Sequence, residues 1–113
     1  MKPRRMVVCA VLLLGFLTGC SDLCDDQLVA TFKQVPPPPG VPVDIFVGGE
    51  GCMAETPART APAQVFDHYR AEFSERDWRI VTDNPGELRA DKDDVYIYVY
   101  NAEGRVYFIL GEV

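Results

Sequence analysis

Met6 to Leu17 form a nearly unbroken apolar run behind three cations, Lys2, Arg4 and Arg5, and everything after it alternates between short apolar and polar stretches. The run is twelve residues long, whereas a membrane-spanning helix needs about 20. Downstream, Leu28, Ala30 and Phe32 alternate with Val29, Thr31 and Lys33, a period that predicts a strand. Val35-Pro36-Pro37-Pro38-Pro39-Gly40 fits neither a helix nor a central strand and predicts a stiff polyproline II crossing. Val43 to Val47 predicts a second strand, Gly48-Gly49-Glu50-Gly51 a hairpin turn, and Cys52 to Glu55 its continuation.

Thr56, Pro57, Thr60 and Pro62 then mark a helix start, with Thr60 expected to cap and Pro62 to occupy the first turn. Ala63 to Arg76 carries the one clear helical period. Phe66, Tyr69 and Phe73 fall on one face, and Arg70, Glu72, Glu75 and Arg76 lie mostly elsewhere. Trp78 and Ile80 open the next strand. Asn84-Pro85-Gly86-Glu87 has the residues of a type II turn, and Leu88 and Ala90 alternate with Arg89 and Asp91. Asp91-Lys92-Asp93-Asp94 turns the chain, Val95 to Tyr100 alternates strictly, Asn101-Ala102-Glu103-Gly104 closes a hairpin, and Arg105 to Leu110 ends the pattern. These elements add up to an α+β domain, an antiparallel sheet with one helix packed on one face in two layers.

The leader changes what the rest means. A basic start, a short apolar middle and a small-residue end is the layout of an export signal. Its last residues, Leu17-Thr18-Gly19-Cys20, resemble the lipobox of bacterial lipoproteins, position for position. The resemblance implies cleavage before Cys20 and a diacylglyceryl group on its thiol, carrying palmitate-type chains. Two or more acyl chains hold a protein firmly to a bilayer, where one does so only marginally. The division expected is a signal peptide over 1–19, a lipidated N-terminus and short tether over 20–26, and one domain over 27–113. The implied location is the extracytoplasmic side of the cell envelope. Ser21 after the lipidated cysteine fits delivery to the outer membrane in a Gram-negative host, and the plasma membrane serves a single-membrane host.

Removal of residues 1–19 from the 113 leaves 94, enough for one small domain. The three leader cations go with them, so eight Lys and Arg face seventeen Asp and Glu, a formal charge of −9. Such a balance argues against nucleic acid and anionic headgroups as charge-driven partners. Of four cysteines, Cys9 leaves with the leader and Cys20 takes lipid. Cys24 and Cys52 remain as one pair in an oxidising compartment, and a disulfide between them is expected. It would close a loop of nearly thirty residues, worth about 3 kcal/mol.

Candidate chemistry is sparse. In the C-terminal hairpin Val95, Ile97 and Val99 share one face with Val106, Phe108 and Leu110, which should meet the helix. Tyr96, Tyr98, Tyr100 and Tyr107 point the other way, with Ile109. A tyrosine ladder on an open face suits recognition of a peptide, a glycan or a partner sheet, and equally suits ordinary cross-strand packing. Asp91, Asp93 and Asp94 lack the glycine and distant glutamate of a calcium loop, so no metal is expected. His68, beside Asp67, has no tuned partner for acid–base work, and only Ser21 and Ser74 offer hydroxyl nucleophiles of the serine type. No cofactor is implied. The Tyr69-Arg70 helix, a tight turn at Asp77 and then Trp78 resemble small exported bacterial proteins with a Tyr-Arg helix followed by Gly-Trp, a resemblance that implies no activity. The sequence therefore points to a non-enzymatic binding or scaffolding lipoprotein, with an accessory or inhibitor subunit of an envelope enzyme and a small ligand-binding domain as alternatives.

Overall fold

A computed structural model describes residues 22–113, and the lipobox, Cys20 included, lies outside the described residues. Six strands form one antiparallel sheet: β1 (Asp44–Gly48), β2 (Gly51–Glu55), β3 (Arg79–Asn84), β4 (Glu87–Lys92), β5 (Val95–Ala102) and β6 (Arg105–Glu112). Their order is β1-β2-β6-β5-β4-β3. Two helices, α1 (Asp26–Lys33) and α2 (Pro62–Glu75), pack on one face, giving the α+β architecture expected with one helix more.

The extra helix corrects the strand expected at Leu28–Lys33. Leu28 and Phe32 are buried four residues apart, a spacing that satisfies a period of two and one of 3.6 alike. Ala30, which a strand would bury with them, is exposed. What decides the matter is Asp25, whose carboxylate accepts from the Leu28 backbone N–H at 2.9 Å and caps the helix. A short 3-10 turn, Asp22–Cys24, precedes it and packs on β1 and β2.

The crossing from Val35 to β1 contains no helix or strand apart from its turns, and His68 on α2 holds it in place. The His68 Nε2 lies 2.7 Å from the Pro36 carbonyl oxygen and so carries the donated proton. Val35 is 2% exposed beneath it. At the start of α2 the cap is Ala61, not Thr60, and Pro62 occupies the first turn as expected. The Thr60 N–H instead bonds back to the Pro57 carbonyl in a turn, which carries Thr60 out of capping range. At the other end Asp77 adopts φ 66°, and the Trp78 N–H returns to the Phe73 carbonyl at 3.0 Å, a Schellman closure with aspartate where glycine is usual.

The core lies between the helices and one sheet face. Tyr69, Phe73, Phe108, Leu88, Ile97, Val99 and Val106 are its fully buried centre. Edge-on and tilted ring contacts link Phe32, Phe108, Tyr69, Phe73 and Trp78, with centroids 5.0–5.8 Å apart. Trp78, 5% exposed, closes this row at the turn into β3, which begins at Arg79. The disulfide expected between Cys24 and Cys52 is present, with Cα atoms 4.9 Å apart, and it fixes the 3-10 turn to β2.

Candidate functional site

The sheet face opposite the helices carries no covering element among the described residues. Strand register assembles it in rows. Phe46, Met53, Ile109, Tyr98, Arg89 and Thr82 form the middle row across all six strands. Asp44, Glu55, Tyr107, Tyr100, Glu87 and Asn84 form the row beside it. Tyr96 lies in a third row, between Gly111 on β6 and Asp91 on β4. The alternation of β5 and β6 forces this arrangement: their aliphatic residues fill the core, so the four tyrosines are left on the open side.

Each tyrosine is half-buried, and the rings are ordered by one another. Tyr98 stacks on Tyr100, and Tyr100 on Tyr107, with centroids 5.6 Å apart and planes inclined by 28° in both pairs. The Tyr98 hydroxyl donates to Glu87 at 2.8 Å, and Asn84 supports the same carboxylate at 3.2 Å. These bonds hold the Glu87 carboxyl below the usual carboxylate range, the one from Tyr98 foremost. The same bond, followed by burial, pushes the Tyr98 phenol up, and burial does so first for Tyr100.

Tyr96 stands apart from the stack. Its ring lies against Gly111, where an added Cβ would come within 2.5 Å of it, so glycine there is what lets the ring settle on the sheet. The Arg89 guanidinium covers the ring at 4.3 Å and is itself fixed by Asp91 at 2.9 Å. The Asp91 bond, offset by some desolvation, raises the Arg89 pKa further. At the β2 side Arg105 pairs with Glu55 at 3.3 Å. Phe46 and Met53 crowd over Gly48, and Met53 is buried although it lies on the open face.

The result is a flat aromatic strip with fixed charges at its margins. Its rings present apolar area and hydroxyls at little further cost in side-chain entropy, which is the chemistry of recognition. Sequence patterning found the tyrosines and Ile109. It missed Phe46, Met53, Arg89, Glu87 and Gly111, because only register places these beside the ladder.

The other candidates are drawn elsewhere. Asp91 belongs to β4 and is engaged by Arg89 and, at 3.8 Å, Arg79, while only Asp93 and Asp94 form the turn. Among the described residues no three metal-binding side chains come together. His68 serves the Pro36 carbonyl and sits edge-on to Tyr69. Ser74 is exposed on α2. A concavity of about 550 Å³ is an open groove between the start of α2 and the β3–β4 turn. Its one cation, Arg70, is clamped by Asp83 at 3.0 Å and Asp67 at 2.8 Å. A smaller recess of about 300 Å³ beside the proline crossing is lined chiefly by apolar side chains, with Lys33 at its margin.

No protein-family model, no curated protein and no solved structure matches this chain.

Proposed function

We propose that this protein is a lipid-anchored, non-enzymatic binding module of the bacterial cell envelope, and that its open aromatic face meets a protein partner. Cys20 carries the lipid on the extracytoplasmic side, in the outer membrane of a Gram-negative host or the plasma membrane of a single-membrane host. The observation that carries the binding role is the ordered strip Tyr98-Tyr100-Tyr107 with Tyr96 beside it, on the one sheet face the helices leave open. The three stacked rings, with Tyr96 beside them and Ile109, Met53 and Phe46 along the neighbouring row, give this face the composition that interface centres favour. The marginal charges Arg89, Asp91, Glu55 and Arg105 supply the polar rim. Supporting the anchor are the lipobox residues and the pairing of Cys24 with Cys52 as a disulfide, which leaves Cys20 as the remaining cysteine after the leader. No described helix is long and apolar enough to cross a membrane.

The test is photocrosslinking in intact cells. A photoreactive residue at Tyr98 or Tyr107 should capture a discrete neighbour that a probe at Ala71, exposed on α2, does not. Substitution of Tyr96, Tyr98 and Tyr107 by serine should abolish that capture while the fold persists. Equal capture from both faces, or an affinity unchanged by the triple substitution, would assign the ladder to packing alone.

A further inference from the structure

We propose that the domain stands end-on upon the lipid surface that holds its anchor, with Leu23, Val47 and Val113 seated among the headgroups and the aromatic face turned sideways, along the membrane plane. This rests on the lipid-anchor reading above. Covalent geometry limits the four residues from Cys20 to Cys24 to about 14 Å when fully extended. Cys24 in turn is bonded to Cys52 at the start of β2. The end of the domain that carries this disulfide is therefore held near the bilayer.

Register shows what else lies at that end. Val47 pairs with Cys52, and Cys52 with Leu110, so the β1–β2 turn and the C-terminus lie side by side. Val95 pairs with Glu112, and the Val113 N–H bonds to the Asp94 carbonyl, which brings in the β4–β5 turn. Four large apolar side chains are exposed among the described residues: Leu23 at 51%, Val47 at 55%, Val113 at 69% and Val81 at 49%. Three of the four occupy the tethered end, and Val81 sits on the opposite edge strand. A leash this short raises the local concentration of lipid surface to a level where small apolar contacts become populated.

Around Leu23, Val47 and Val113 this end is acidic, with Asp26, Glu50 and Asp93 exposed and Glu112 half-buried, whereas the cations at this end, Arg76, Arg79 and Lys92, lie on its β3–β4 side and are each engaged by a carboxylate or a carbonyl oxygen. Apolar contact with neutral headgroups and repulsion from anionic ones therefore oppose each other, so the stance depends on lipid charge. With the strands rising from the bilayer, Tyr107 lies four residues along β6 from Gly111, about 13 Å further out. A partner for the aromatic face must then approach laterally, at the height of the domain.

The experiment uses the lipidated protein reconstituted in phosphatidylcholine vesicles whose acyl chains are brominated near the headgroup. Tryptophan is introduced as Val47→Trp, at the tethered end, or Arg59→Trp, in the exposed loop at the opposite end. Buried Trp78 gives both proteins the same background. Flotation with the vesicles reports the anchor, and bromine quenching reports the stance. The expected result is flotation of both, loss of most of the added emission from V47W, and none from R59W. Replacement of part of the lipid by phosphatidylglycerol should relieve the V47W quenching, and added salt should restore it. Flotation with equal quenching of the two, or greater quenching of R59W, overturns the end-on stance and leaves the anchor intact. Failure to float overturns both.

Discussion

Gly111 and Tyr96 illustrate how single residues shape the open face. A methyl group at position 111 would meet the Tyr96 ring at 2.5 Å, and the ring, being the free end of a side chain, would swing away. The Arg89 contact would go with it, a loss of about 0.5–1 kcal/mol at an exposed site. Gly111→Ala should therefore lower stability by about that amount and alter the near-ultraviolet circular dichroism, which reads the ring's surroundings. Tyr69 has a different kind of consequence. Burial first, and the neighbouring Glu72 charge second, push its phenol well above the ordinary 10.0. A pKa raised by folding contributes stability that is fully present below pH 10 and is lost as pH rises beyond it. Base-induced unfolding should thus begin above pH 10. Tyr69→Phe should make stability fall less steeply with pH, as followed by denaturant titrations at stepped pH; an unchanged slope would remove Tyr69 as a contributor. Tyr98 and Tyr100, raised in the same direction, keep the slope from vanishing.

At the scale of elements, the disulfide and the turns carry the testable energies. Cys24 and Cys52 close a sequence separation of 28, worth about 3 kcal/mol in the chain-entropy picture. Reduction, or substitution of both by serine, should lower the melting temperature by on the order of 10–20 °C in a domain this size. It should also release the 3-10 turn and α1 before the sheet, since α1 is short and depends on Leu28 and Phe32 for its hold. Hydrogen exchange would show that order. The β5–β6 turn has Glu103 at φ 54° and Gly104 at φ 76°, a type I′ geometry that favours Asn-Gly. Glu103→Asn should recover a fraction of the roughly 1–2 kcal/mol a left-handed residue costs, visible as a raised denaturation midpoint.

The elements also show why some of the fold was legible and some was not. α2 and the β5–β6 hairpin carry long runs of one period, so Phe66, Tyr69 and Phe73 and the alternating Val95 to Tyr100 announced their faces. In α1 only two buried residues mark the period, and their spacing of four is common to helix and strand. Thr60 failed as a cap because a local turn outweighed its side chain, an outcome that depends on Pro57 and not on the capping preference itself. The disulfide was legible by elimination, only two cysteines being left to pair. The aromatic face was legible residue by residue within β5 and β6, whereas its margin was not. Arg89, Glu87, Phe46 and Met53 reach it through pairings between strands distant in sequence, which no local period encodes.

For the molecule as a whole, charge, anchor and fold act together. With the proposed cleavage before Cys20, the formal balance of −9 would favour solubility and repulsion from anionic headgroups, while the proposed lipid on Cys20 would hold the domain at the bilayer regardless. Given that anchor, the Cys24–Cys52 bond would leave a leash too short for the domain to roam, which would couple attachment to presentation of the tyrosine strip. The proposed location and the end-on stance both rest on the fate of Cys20. The most direct test is the intact mass, without reduction, of the protein extracted from the host's membranes. The expected mass is that of a chain that begins at Cys20, carries diacylglycerol on that cysteine and lacks two hydrogens for the Cys24–Cys52 disulfide. A chain that begins elsewhere, or carries Cys20 unmodified, would contradict it.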